Sequence, residues 1–138
     1  MPLKLNNNIF KWLYMHVKDM EFYAQRYGKN FVEESIKSFS NKWTLHIFKD
    51  LFQGKSRFTE FQKDRPNLDN KALVRCLNAM RENGLIEKKN DEYFLTKKGF
   101  SFNKVYFELV NFSIENDSRY SSNEKLEIKN YYSKLLKL

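Results

Sequence analysis

The run from Asp69 to Asn83 sorts its side chains by face. Wound as a helix, it places Leu73, Cys76, Leu77 and Met80 on one side at three- and four-residue spacing. The other side carries Asn70, Lys71, Val74, Arg75, Asn78 and Arg81, with no acidic residue before Glu82. A rod divided in this way buries one face in its own body and offers the other, cationic and rich in donors, to something outside. Asp69 is placed to cap it, since a carboxylate accepts from the free N–H groups of a first turn and suits the positive end of the helix dipole. Gly84 ends it. "LIEKKNDEYFLT" follows at once and alternates loosely about Asn90-Asp91, the pattern of two short antiparallel strands joined by a tight turn.

The rest of the chain reads as helices cut by short breaks. Phe10, Leu13, Val17, Met20, Ala24 and Tyr27 are spaced 3, 4, 3, 4, 3, a seam that faces either a core or a second subunit. Asn30 with Glu33 resembles a capping box opening a shorter helix that carries Val32, Ile36 and Phe39. Trp43, Ile47, Phe48 and Leu51 give an apolar face to a helix ending at Gly54, and Phe58 with Phe61 starts a short one that Pro66 stops. Ser56 to Phe58 is too short to be more than a strand fragment. After a turn at Gly99, Phe102, Val105, Tyr106, Leu109 and Phe112 form an amphipathic helix. Ser121 with Glu124 caps a last one carrying Ile128, Tyr131, Tyr132 and Leu135.

The expected class is therefore mainly α with a minor β component. Four glycines and two prolines in 138 residues are too few turns for an all-β chain, and 41% hydrophobic residues argue against disorder. That length suits one domain, 1–138, made of a helical extension (1–40), a central unit (41–100) and C-terminal helices (101–138). The net charge of +8 suits an anionic partner, and the front and the middle hold the excess: residues 1–43 carry seven basic and four acidic groups, residues 44–100 twelve and eight, residues 101–138 six and five.

Several chemistries drop out. "GKS" at 54–56 ends like a phosphate-binding loop, but Lys49 stands where that loop needs its first glycine. His16 and His46 have no Cys or His at ligand spacing, and no Ser or Cys sits in a nucleophile turn. No enzyme, metal site or cofactor is expected. Cys76, the single cysteine, excludes an intrachain disulfide and reads as a small core residue. No run approaches the roughly 20 apolar residues of a membrane span, and "MPLKLNNNIFKWL" has no apolar leader core before a small-residue cleavage site. The expectation is a cytoplasmic protein without a membrane partner.

The order helix, short helix, turn, helix, hairpin is that of a winged helix-turn-helix, in which the third helix fits a DNA major groove and the hairpin reaches the neighbouring backbone. Particular residues sharpen this. Lys42-Trp43, Gly54, Arg57-Phe58 and Phe61, then Leu68, Leu73, Leu77, Gly84, Leu85 and Ile86, and finally Leu95, Thr96 and Gly99 in "YFLTKKG", together resemble the HxlR-type winged-helix transcriptional regulators over about residues 41–112. Asp69 stands where that family usually has Ser, and the wing between Ile86 and Tyr93 is shorter than usual. The flanks, 1–40 and 113–138, are more like the helical flanks of MarR-type regulators.

The resemblance implies a homodimer held by its terminal helices, binding double-stranded DNA at a palindromic operator through a recognition helix at about 69–83 and a wing at about 85–96. Within that frame Asn70, Lys71, Val74 and Arg75 meet base edges, Arg75 suited to guanine and Asn70 to adenine. Asn78 continues the face, and Lys55, Arg57, Lys88 and Lys89 contact phosphates. Repression is the expected output, since no segment resembles a separate activation surface. The aromatic load could also line a cavity for a small-molecule effector. The rival reading is a winged-helix protein–protein interaction module whose basic helix meets an acidic partner.

Overall fold

The computed structural model describes residues 30–138 and, before them, residues 8, 11, 19, 21–22 and 25–28. Of the seam expected at Phe10 to Tyr27, all but Tyr27 lies outside the described residues. The chain divides into two compact units, Met1–Ser38 and Phe39–Leu138. In the first, α1 (Phe31–Lys37) is capped by Asn30, whose side chain accepts from the N–H groups of Val32 and Glu33 at 3.0 and 3.1 Å. Its Phe31, Val32 and Ile36 are exposed. Phe39, which the pattern puts on this helix, lies beyond its end and belongs to the second unit.

The second unit is mainly helical with one small hairpin. Its elements are α2 (Thr44–Phe52), α3 (Phe58–Gln62), α4 (Asn70–Glu82), β1 (Ile86–Lys89), β2 (Glu92–Leu95), α5 (Lys97–Phe100), α6 (Asn103–Glu115) and α7 (Ser122–Leu135). This is the expected winged helix-turn-helix order. Ile47 and Phe48 of α2, Phe61 of α3 and Leu73, Cys76, Leu77 and Met80 of α4 close one core with Leu68, Leu85, Ile86, Tyr93 and Phe102. Phe39 and Phe48 both lie on the Phe102 ring, with centroids 4.2 and 4.8 Å away, which ties the start of α6 to α2.

The hairpin pairs Ile86 with Leu95 and Lys89 with Glu92, so its loop is the two residues Asn90-Asp91. Both have positive φ (50° and 63°), as the tight turn that matches strand twist demands. Ser56 does join the sheet by one bond: its carbonyl accepts from the Tyr93 N–H at 2.8 Å. At the other end, Ser121 Oγ accepts from the Glu124 N–H (3.2 Å) and the Glu124 carboxylate accepts from the Ser121 N–H (2.7 Å), the reciprocal cap its spacing predicts. The Asn103 amide donates to the Leu136 carbonyl at 3.0 Å, pinning α7 to the start of α6.

A second expectation is corrected. Gly99 is not a turn; it lies inside α5 and is buried. Glycine is required there by proximity, since a Cβ would stand 2.0 Å from the Leu85 carbonyl oxygen.

Candidate nucleic-acid interface

The face offered by α4 is set by its two ends. Asp69 Oδ1 accepts from the Ala72 N–H at 2.7 Å, so the carboxylate is occupied with its own helix. At the exit Gly84 takes φ of +72°; its N–H donates to Arg81 O and the Leu85 N–H to Met80 O, each at 2.9 Å, a Schellman closure. Elements from beyond the hairpin then fasten this turn. Thr96 donates its hydroxyl to Gly84 O (2.5 Å) and its N–H to Leu85 O (3.0 Å), while Lys98 Nζ donates to Asn83 O (2.8 Å). The exit end of α4 is thus tied to the segment after the hairpin, with Leu73, Cys76, Leu77 and Met80 inward.

Asn70, Lys71, Val74, Arg75 and Asn78 consequently share one outward surface, a shallow depression lined by these five residues. All five are exposed, Val74 by 45%. Among the described residues neither Lys71 nor Arg75 takes part in an ion pair. Asn70 is the exception to an idle face: its Oδ1 accepts from Gln62 Nε2 at 2.6 Å.

The four expected phosphate contacts stand elsewhere and differ in freedom. Lys88 and Lys89 lie on β1, whose groove against α4 is lined by Asn78, Arg81, Glu82, Ile86, Glu87 and Lys88. Lys88 Nζ lies 5.6 Å from the Tyr93 ring centroid and 4.0 Å from Asp91, whose carboxylate is 91% exposed at the wing tip. Lys89 pairs with Glu87 at 3.5 Å. Such exposed pairs are worth little and would exchange easily for a phosphate. Arg57, before α3, is 3.9 Å from Glu92 and largely exposed. Lys55 is more committed: half-buried, it sits 3.7 Å from the fully buried carboxylate of Asp50.

That carboxylate reveals what the spacing analysis missed. Arg65 grips Asp50 with both NH groups, NH2 to Oδ1 at 2.9 Å and NH1 to Oδ2, and NH1 also donates to Phe61 O at 2.8 Å. The pair binds α2 to the loop between α3 and α4. A signal existed, since Asp50 falls three residues after Ile47 on the apolar side of α2, where a lone acid is costly.

Cys76 is fully buried beside Thr44 Oγ1 (3.8 Å), and burial pushes its thiol up from the ordinary value against the small opposing effect of that contact. The thiolate is the reactive form. The native protein is therefore expected to resist a thiol-titrating disulfide reagent and to release one equivalent only when unfolded. Among the described residues no group of three or more His, Cys, Asp or Glu side chains is placed to hold a metal ion, and no helix is long and apolar enough to cross a membrane.

With this geometry in view, similarity to known proteins falls on the same stretch. The family model described as HxlR-like helix-turn-helix matches residues 38–120, which take in α2 to α6 and both strands. A protein described as an uncharacterized HTH-type transcriptional regulator, from Methanothermobacter thermautotrophicus, is 31% identical over 77 residues. The match spans 51% of this chain and 59% of that relative. No solved structure matches.

Proposed function

Because the chain belongs to the HxlR-like helix-turn-helix family, we propose that it is a sequence-specific regulator of transcription that binds duplex DNA through α4 and the β1–β2 wing. The observation that carries the reading is the outward face of α4: five exposed side chains, two of them cations without an ion-pair partner among the described residues, with the acid at the start of the helix, Asp69, spent on its cap. Arg75 suits the two acceptors of guanine, and exposed Val74 suits the methyl group of thymine. Lys88, Lys89 and Arg57 supply charge to phosphates, and Lys55 does so only by loosening its hold on Asp50.

The Lys71→Glu/Arg75→Glu double variant is expected to lose most duplex affinity while melting like the wild type. Arg75→Ala should relax discrimination at one base pair by about 1–3 kcal/mol. Both are read by titrating a selected operator and its single-base variants at fixed salt. Undiminished binding by the double variant would remove α4 from the interface. The rival reading, an interaction module for an acidic protein, predicts no duplex binding and no steep salt dependence.

We further propose a homodimer acting as a repressor in the cytoplasm, with residues 1–138 working as one domain and two α4 helices meeting successive major grooves about 34 Å apart on a palindrome. Support for a second copy comes from α6, where Val105, Leu109 and Phe112 follow one another at spacings of 4 and 3 and stay exposed, Phe112 by 73%. Phe112→Asp is expected to halve the particle mass in light scattering and to weaken operator binding sharply; an unchanged mass places the interface elsewhere. A small-molecule effector belongs to the same proposal and would be recognised as a ligand-induced rise in melting temperature.

A further inference from the structure

Asn70 opens the outward face of α4, and its amide is already spoken for. Gln62, the last residue of α3, donates from Nε2 to Asn70 Oδ1 at 2.6 Å and to the Leu68 carbonyl at 3.4 Å. A backbone carbonyl only accepts, so Leu68 fixes which end of the Gln62 amide faces it: the nitrogen. At 2.6 Å that nitrogen can meet only an acceptor, which orients Asn70 in turn, with its oxygen toward α3. The Asn70 amide nitrogen, the other substituent on Cγ, has no hydrogen-bond partner among the described residues.

We infer that Gln62 is a positioning residue that makes Asn70 an outward donor, so that Asn70 contacts a base edge bearing acceptors, guanine N7/O6 or thymine O4. This rests on the DNA-binding reading above. The pairing with adenine that the residue type alone suggests requires the Asn oxygen to accept from adenine N6 while the nitrogen donates to N7. The oxygen already has one lone pair engaged by Gln62, whereas the two amide hydrogens have no partner among the described residues, and hydrogens match acceptors only. The helix before the recognition helix thus sets specificity without touching DNA.

The test compares the full chain with Gln62→Met, Asn70→Ala, their double variant and Gln62→Glu, by selecting bound sequences from a random duplex pool and recording side-chain amide resonances of the free proteins. Expected is a wild-type preference for guanine or thymine at one position per half-site. Gln62→Met and Asn70→Ala should each lower it by about 5-fold or more, and the double variant no further. Melting temperature should stay near the wild-type value, and the restrained Asn70 amide signals should relax to free rotation in Gln62→Met. Gln62→Glu presents only acceptors to Asn70, turns the Asn nitrogen inward, and should move the preference toward adenine or cytosine. An Asn70-dependent adenine preference in the wild type overturns the inference, as does an intact preference in Gln62→Met. So does an Asn70→Ala variant that weakens all sequences alike, the mark of a phosphate contact. A wild type that enriches no sequence sinks the DNA-binding reading along with it, and so is told apart from these.

Discussion

Gly99→Ala is expected to destabilise the second unit by about 3 kcal/mol or more, at the upper end of what overpacking costs. The added methyl would stand 2.0 Å from the Leu85 carbonyl oxygen and 2.9 Å from its carbon, and neither is the end of a flexible side chain. The backbone of α5 or of the exit turn has to move. Because the same Leu85 oxygen accepts from the Thr96 N–H, movement there breaks the junction that holds α4 against the wing. Gly84→Ala makes the control. It meets nothing closer than Lys98 Cδ at 3.9 Å but must keep φ at +72°, so it should cost only about 1–2 kcal/mol, the strain of a left-handed alanine. Urea midpoints at unchanged slope separate the two; equal losses would mean that contact with Leu85 is not what makes Gly99 necessary.

Arg65→Met should be of similar size, about 3–5 kcal/mol, because it leaves the buried Asp50 carboxylate with only Lys55, at 3.7 Å, for compensation among the described residues. The paired replacement Asp50→Leu/Arg65→Met removes both charges and is expected to recover most of that loss, as an ion pair exchanged for apolar volume commonly does. A cycle of the two single variants and the double measures the coupling directly. Additive effects would show that the pair, for all its geometry, contributes no more than its parts.

What the sequence made legible is what short-range chemistry decides. The caps at Asn30, Asp69 and Ser121, the exits at Gly54 and Gly84 and the Asn90-Asp91 loop all depend on atoms within six residues of one another, and each is found where its residue types put it. The inward face of α4 follows from periodicity alone. Contacts between distant segments left no such trace. Asp50 and Arg65 are fifteen residues apart, Phe39 meets Phe102 across most of the unit, and Gly99 is needed because of a carbonyl at position 85. Periodicity also says which residues share a stripe and not what covers it. At the cap of α6 Phe102, and within it Tyr106, turn into the core while Val105, Leu109 and Phe112 of the same amphipathic set remain outside. For the interface, the sequence named the five residues that share the α4 surface, but residue type alone could not give the direction of the Asn70 amide or the claim of Asp50 on Lys55.

The fastening of the α4 exit turn by Thr96 and Lys98 has a mechanical side. If the chain binds DNA as proposed, this bracing of helix against hairpin asks a duplex of different groove spacing to yield instead. Stiff tracts of adenine and pliant pyrimidine–purine steps would then bind unequally at base pairs that no side chain touches. Selectivity of that kind would be read from the compliance of the nucleic acid, and would trace back to one threonine hydroxyl and one lysine.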